Sequence, residues 1–416
     1  MTKVYLVPGK RTPFVKAGSQ FAKLDSISLS TPVIKAMAAQ TRPDFVSWGQ
    51  VIPSPSISNL SRELSLGAGL DPSIPAFSTV LACSTSMMGA IQAAGMVGRG
   101  GTHLGMVGGV EVMSRVPIAL KSDIAQMIAG LAMKNPAEAI TAMQSLTADS
   151  FDLPIKGWAN RISGRSMGEH TEDTAKLFEI PRDQQDEIAF NSHKRATDAQ
   201  NSGFFDDLIV PVDDVKSDTI PRADSTQEKL ATLKPVFDRS DAGTLTAGNS
   251  SPLTDGAGAV WVCDEVGLAT LGRQDGIELV DWQIEAMDYT DEGILMAPAR
   301  AIPKLLARHG LRLDDIALWE IHEAFAAQVL ANIKMISDSS YRRAKAGVTD
   351  DLGPFPMDRL NPNGGSLAIG HPFGATGARI MSQACKELTG YASGSLGVVS
   401  ICADGGQGTV LLLRRP

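Results

Sequence analysis

Phe77-Ser-Thr-Val-Leu-Ala-Cys83-Ser-Thr-Ser-Met-Met-Gly89 reads as a buried strand that turns sharply into a helix. Far downstream, Asn361-Pro-Asn-Gly-Gly-Ser-Leu-Ala-Ile-Gly-His371-Pro-Phe-Gly-Ala-Thr-Gly377 reads as a Gly-rich loop entering a similar helix. Each helix is followed by an apolar strand and a glycine pair. The first is Leu104-Gly-Met-Val-Gly108-Gly109; the second is Leu396-Gly-Val-Val-Ser-Ile-Cys402-Ala-Asp-Gly405-Gly406. One segment presents a thiol at a helix start. The other presents an imidazole at the matching place and a second thiol after its strand. Two related halves facing each other would bring Cys83, His371 and Cys402 into one cleft. A thiol nucleophile, a base and a second acid suit acyl transfer to sulfur.

The remainder of the chain fits such a pair of halves. Its 416 residues exceed what one hydrophobic core organises, so two or three domains are expected. The composition, 43% hydrophobic and 20% charged, is that of an ordinary soluble globular protein. The net charge of −8 argues against broad nucleic-acid binding. Cys83, Cys263, Cys385 and Cys402 are widely spaced, which disfavours zinc and CxxC readings and suits a reducing compartment. The N-terminus has no secretory or transit pattern, and no apolar run approaches the roughly 20 residues that span a bilayer. A cytoplasmic location is the expectation.

Alternating strand and helix patterns fill residues 1–118, the expected N-terminal half. Residues 119–235 read as an inserted, loop-rich lobe. It holds a Met-containing helical stretch (Ile124, Met127, Ile128, Leu131, Met133) and a helical block at 181–202. Residues 236–275 complete the first half, and 276–416 form the second. The fold class is therefore α/β, each half a mixed sheet covered by helices.

Cys83, at a helix N-terminus, is expected to have a lowered pKa, because the first-turn N–H groups and the helix dipole favour a thiolate. His371, flanked by glycines, is the evident base for it. Cys402 can give and take a proton near neutral pH. His322 lies where strand Leu318–Ile321 ends and a helix begins, where ligand sites collect in α/β sheets. It could hold a water or donate to an oxyanion. His-Glu alone is not a zinc motif, since position 326 is alanine. No metal is expected. Asn249-Ser-Ser251-Pro-Leu-Thr-Asp255 is a polar turn before a strand, and plain turn chemistry explains it equally well. Glu111 reads as solvated or structural charge, and His103, His170, His193 and His309 as structural.

Taken together, these segments resemble the thiolase family over nearly the whole chain, from Arg11-Thr-Pro-Phe14 to Cys402-Ala-Asp-Gly-Gly-Gln-Gly408. The resemblance implies a layered αβαβα fold. It implies Cys83 as nucleophile, His371 as its base, Cys402 as acid/base and His322 at the enolate oxygen. Met167, Ser251 and Phe325 would line the substrate. His322 stands where most of the family has Asn, as in the branch that holds the β-subunit of the fatty-acid oxidation trifunctional complex. That branch implies 3-ketoacyl-CoA as substrate, CoA as co-substrate and no bound cofactor. It further implies a homodimer or dimer of dimers and a hydratase/dehydrogenase α-subunit as partner. Separately, the apolar residues Ile124, Met127, Ile128 and Leu131 at helical spacing point to a contact outside the chemistry, with substrate tail, peripheral membrane surface or partner subunit, or to simple packing on the lobe itself. Asp404 departs from the family's usual Gly or Ala. Its backbone N–H would join that of Cys83 in an oxyanion hole; its carboxylate either raises the pKa of Cys402, if the two lie close, or turns away to a backbone or solvent partner. A biosynthetic acetoacetyl-CoA thiolase, another condensing enzyme of this fold, and a catalytically silent acyl-CoA-binding subunit are the alternatives.

Overall fold

The computed structural model describes residues 2–152 and 159–416. Twelve strands are present among them. In the first half they are β1 (Tyr5–Arg11), β2 (Val15–Lys16), β3 (Phe45–Gly49), β4 (Ala76–Phe77) and β5 (Leu104–Val112). A small ribbon, β6 (Ala119–Leu120) with β7 (Phe151–Asp152), precedes β8 (Thr254–Cys263). The second half supplies β9 (Ile277–Ala286), β10 (Ile316–Ile321), β11 (Leu396–Ala403) and β12 (Gln407–Arg414).

The two halves repeat one pairing pattern. In the first, β3 runs parallel to β5, then β8 and β1 follow antiparallel. In the second, β10 runs parallel to β11, then β12 and β9 follow antiparallel. The sheets join edge to edge through Tyr5–Glu278 and Leu6–Ile277, giving the order β10-β11-β12-β9-β1-β8-β5-β3-β4. Strands such as β5 and β8 are buried along their whole length, as expected of a sheet covered on both faces.

Two helices lie between the sheets: Thr85–Gly98, which follows Cys83, and Phe373–Leu388, which follows His371. Met87, Ala90, Ile380 and Met381 share one core cluster with Val107 and Val260 of the first sheet and Val399 and Leu411 of the second. Separate cores cover the outer faces. One packs helix Ser26–Ala38 on the first sheet; the other packs Ala297–Arg308 and Ala326–Ser337 on the second. The layers are thus helix, sheet, helix, sheet, helix.

The central helices cross closely. A Cβ at Gly377 would stand 2.6 Å from the Met87 backbone nitrogen, so only glycine allows this approach. The crossing holds the residues preceding the two helices, Cys83 and His371, near one another.

The buried strand expected ahead of Cys83 is shorter than its apolar sequence suggests. Only Ala76–Phe77 pairs, with β3, and it forms the sheet edge. Without a ladder on its other side, Ser78–Leu81 leaves extended pairing and Val80 is exposed. Residues 119–235 carry helices Ser122–Lys134, Pro136–Gln144, Met167–Leu177 and Arg182–Asn201 between loops.

Candidate active site

The chain enters the site through strain. Ala82, directly before Cys83, has φ +42°, a left-handed conformation that costs a non-glycine residue free energy. The bend sets Cys83 just ahead of Ser84, the first cap of its helix. The Ser84 hydroxyl bonds Thr409 on β12, tying this turn to the second half.

His371 arrives by a different device. Gly370 has φ +106°, a conformation open to glycine, and the His371 backbone N–H donates to Thr254 Oγ1 at 3.1 Å. His322 continues the ladder beyond β10, its N–H donating to the Ser400 carbonyl at 2.8 Å. The donor atoms of Cys83, His322 and His371 all lie within 4.8 Å of one another, and the two imidazole centroids are 4.1 Å apart.

The hydrogen bonds behind the rings set their tautomers. His371 Nδ1 is 2.6 Å from Thr376 Oγ1, and that hydroxyl donates its one proton to the Pro372 carbonyl at 3.0 Å. Thr376 therefore accepts from His371 Nδ1–H, which leaves Nε2 as a bare lone pair. His322 has the opposite arrangement. Its Nδ1 is 2.9 Å from Ser366 Oγ, which itself accepts from Arg379 Nη2 at 2.8 Å. The Ser366 proton is free to point at Nδ1, so His322 carries its hydrogen on Nε2. Both Nε2 atoms are buried without a partner among the described residues. One is a base and the other a donor.

Electrostatics keep these groups neutral at rest. Burial, followed by the Arg379 charge, holds His371 down to about 3. Burial, the neighbouring His371 and Arg379 hold His322 well below the usual imidazole range. Cys83 keeps part of its surface open to solvent. Its sulfur nevertheless stands among enough protein atoms that burial pushes the thiol up to about 12, with the Asp404 charge adding to the rise. The nearby backbone N–H groups of Asp404 and of Cys83 itself oppose the shift. This corrects the lowered thiol pKa expected from the helix start. Cys83 precedes the cap, and desolvation plus a nearby carboxylate outweigh the helix dipole.

Cys402, at the end of β11, is buried. Burial and the charge of Cys83 raise its thiol well above the usual range. The carboxylate expected to act on Cys402 acts instead on Cys83. Its direction is set by Asn160, whose Nδ2 donates to Asp404 Oδ1 at 2.8 Å. Met167 and Phe325 pack in the same apolar cluster as Cys402. Ser251 is held beside them, its N–H donating to the Ala324 carbonyl at 3.0 Å.

Asn249 serves the turn itself, taking the Thr246 N–H on Oδ1 and donating through Nδ2 to Asp186 and Thr244. His103 and His309 are structural, each on a carboxylate: Asp264 at 2.7 Å and Asp281 at 2.8 Å. Glu111 is buried rather than solvated. It accepts from the N–H groups of Val51, Ile52 and Gly374 at 3.0–3.1 Å, and burial pushes it up to about 7. It clamps the start of the His371 helix to the first sheet. Sequence reading missed Thr376, Ser366, Arg379 and Asn160. Only Thr376 left a local signal, as a hydroxyl five residues after the histidine.

A polarised thiol, two backbone donors near it, a base and a donor imidazole form the equipment of an acyl-transferring enzyme. The same sulfur and nitrogen donors could also take a soft metal ion. Comparison with known proteins decides the class. Models of the thiolase N-terminal and C-terminal domains match residues 4–266 and 277–415. The 3-ketoacyl-CoA thiolase of Shewanella sediminis is 34% identical, the match covering 99% of this chain and 97% of that protein. A probable 3-ketoacyl-CoA thiolase of Caenorhabditis elegans is 36% identical, with 100% and 94% covered. The Bacillus anthracis acetyl-CoA acetyltransferase structure is similar with a TM-score of 0.83 at 30% identity, covering 100% of this chain and 99% of that one. The Ascaris suum Acat5 thiolase, solved with coenzyme A, gives 0.82 at 26% identity, with both chains covered completely. The chain belongs to the thiolase family, and its activity is acyl transfer.

Proposed function

We propose that this chain is a 3-ketoacyl-CoA thiolase that cleaves its substrate to acetyl-CoA and a shortened acyl-CoA, in fatty-acid β-oxidation. The observation that carries the reading is the meeting of the Cys83 sulfur with the His371 and His322 imidazoles, donor atoms within 4.8 Å of one another and each Nε2 without a partner among the described residues. His371 Nε2 takes the Cys83 proton, and the thiolate attacks the 3-keto carbon. The N–H groups of Cys83 and Asp404 hold the oxyanion. The carbon–carbon bond then breaks, leaving an acyl group on Cys83 and the enolate of acetyl-CoA. His322 Nε2–H and protonated His371 hold the enolate oxygen, and Cys402 protonates its carbon. A second CoA enters as substrate and gives its thiol proton to Cys402. It takes the acyl group, and Cys83 leaves as a thiolate that recovers its proton from His371. Each oxyanion donor is worth about 3 kcal/mol in such steps. The proton exchanges between buried neutral partners, so no net charge is created in the dry site.

Thiolysis of a 3-ketoacyl-CoA length series, followed through loss of the 3-keto thioester absorbance and dependent on free CoA, tests the reading. CoA binding without turnover at any length would favour the silent-subunit alternative.

Association is assigned to two surfaces. The outer edge of β4, with exposed Val80 just before Cys83, favours a homodimer built on that edge. Helices Ser122–Lys134 and Pro136–Gln144 expose Met127, Met133, Ile140 and Met143, an adaptable apolar surface suited to a membrane or an α-subunit. Met127→Lys with Ile140→Lys should abolish vesicle or α-subunit binding. Unchanged binding would remove that assignment. Among the described residues no helix is long and apolar enough to cross a membrane. We assign the chain to the cytoplasm, where the Cys83 and Cys402 thiols would stay reduced.

A further inference from the structure

The two imidazoles differ in what stands behind them. His371 has a hydroxyl alone, Thr376, which takes its Nδ1–H. Behind His322 is a hydroxyl with a cation on it. Arg379, on helix Phe373–Leu388, donates from Nη2 to Ser366 Oγ at 2.8 Å, and that oxygen is 2.9 Å from His322 Nδ1. All three side chains are buried. Glu323 fixes the seat of Ser366, accepting from the Leu367 N–H at 3.2 Å and from Ser192 and Asn361 at 2.6 Å.

An arginine buried this deeply is usually joined to a carboxylate. Arg379 instead donates to two neutral groups, Ser366 and Gln383 Oε1, the latter at 3.2 Å. Its counter-charge stands one side chain further off. Gln383 Nε2 is 3.2 Å from Glu320 Oε1 and 3.2 Å from Glu387 Oε1. Burial, followed by the Glu387 charge, raises Glu320 well above the usual carboxyl range, so this pair holds one proton between its two carboxyls. The guanidinium is left to act on Ser366. An oxygen that already accepts from a cation is a poor acceptor for a second N–H. Among the described residues the Ser366 proton has one acceptor, His322 Nδ1. Were Ser366 to accept from His322 instead, His322 Nε2 would be a bare lone pair beside Cys83. It would then compete with His371 for the thiol proton and offer the enolate oxygen no hydrogen.

We propose that Arg379 is the positioning residue of the enolate step: its guanidinium occupies Ser366 Oγ, turns the Ser366 proton onto His322 Nδ1, and so keeps His322 a donor and never a second base. The proposal rests on the thiolase reading above and adds Arg379 and Ser366 to its second half.

Arg379→Met combined with Glu387→Gln tests it, because the cation and its counter-charge leave together and no unpaired buried charge remains. Exchange of the acetyl-CoA methyl hydrogens with deuterated water reads the enolate step. Acylation of Cys83 by a saturating acyl-CoA reads the other half-reaction. Exchange should fall about 5- to 150-fold, the worth of one buried hydrogen bond left unmade, while acylation stays within about threefold of wild type. Ser366→Ala should reproduce this pattern, and adding it to the Arg379→Met Glu387→Gln protein should lower exchange no further. Histidine-selective nitrogen-15 labelling, with His322 assigned by its loss in His322→Asn, should show Nε2 protonated and Nδ1 bare in wild type, and the proton shifted toward Nδ1 in the Arg379→Met Glu387→Gln protein. Unchanged exchange, acylation that falls as far as exchange, or losses that add between Arg379 and Ser366 would overturn the proposal. A wild-type His322 protonated on Nδ1 overturns it alone and leaves the thiolase reading standing. A wild-type protein with neither exchange nor thiolysis overturns that reading and the proposal with it.

Discussion

Thr376→Val isolates the tautomer argument, because valine keeps the volume and removes only the hydroxyl. Thr376 is fully buried, and its Oγ1 accepts the His371 Nδ1–H at 2.6 Å while donating to the Pro372 carbonyl at 3.0 Å. Without it, Nδ1–H has no acceptor among the described residues. The proton is then free to move to Nε2, which converts the base into a donor, or the ring rotates to find a partner. Leaving one buried donor unsatisfied costs about 1–3 kcal/mol. If that cost falls on the productive tautomer, kcat/KM drops about 5- to 150-fold, at tenfold for each 1.4 kcal/mol. Thiolysis of acetoacetyl-CoA by Thr376→Val and Thr376→Ser measures it. Serine keeps the hydroxyl and should stay within about threefold of wild type. The rate of acylation by a saturating acyl-CoA should fall as far as kcat/KM, since deprotonation of Cys83 is the affected step. If valine and serine variants match each other and wild type, the hydroxyl does not set the tautomer.

Cys402→Ala should separate the half-reactions: acylation of Cys83 by an activated acyl-CoA persists, while proton exchange at the acetyl-CoA methyl falls by roughly 10²–10⁴. Unchanged exchange would assign that proton to another group. Asp404→Ala should lower the Cys83 thiol pKa, because the removed carboxylate opposes the thiolate. Alkylation by iodoacetamide across pH would then start at lower pH than in wild type, and a curve moved the other way would refute the placement of that charge. Stability should respond to His371 in a definite direction. Its folded pKa, about 3, lies below the ordinary value, so the unfolded chain binds the extra proton as pH falls below about 6.5. Its stabilising contribution is therefore present at neutral pH and lost on acidification toward 3. Urea unfolding of His371→Gln should lack about 1.4 kcal/mol per pH unit of the wild-type slope between pH 4 and 6. Equal slopes would mean that the imidazole is solvated.

What the sequence made legible follows from how local each feature is. The strand-helix-strand repeats around Cys83 and His371 are written in apolar runs and glycines, and they pointed to both halves and to a cleft shared by Cys83, His371 and Cys402; that His322 stands within 4.8 Å of Cys83 and His371 was not in those repeats. The thiol's pKa was misread because a helix start is visible in sequence while the surrounding desolvation is not. Asp404 was visible as an oddity. Its partner Asn160 stands 244 positions away and has no motif, so neither the carboxylate's direction nor its action on Cys83 could be read. Glu111 sits in a run of apolar residues and glycines on β5, and only the structure shows three backbone donors waiting for it. The shortness of β4 reflects its place at the sheet edge, a property of topology rather than of its residues.

In the proposed reaction Cys83 carries the acyl group. Incubating the protein with a 3-ketoacyl-CoA in the absence of free CoA, quenching in acid and sequencing the peptides by mass spectrometry tests it directly. One acyl mass is expected on the peptide holding Cys83, removed when CoA is added before the quench. Acylation at Cys402 instead, or no adduct while thiolysis proceeds, would contradict it.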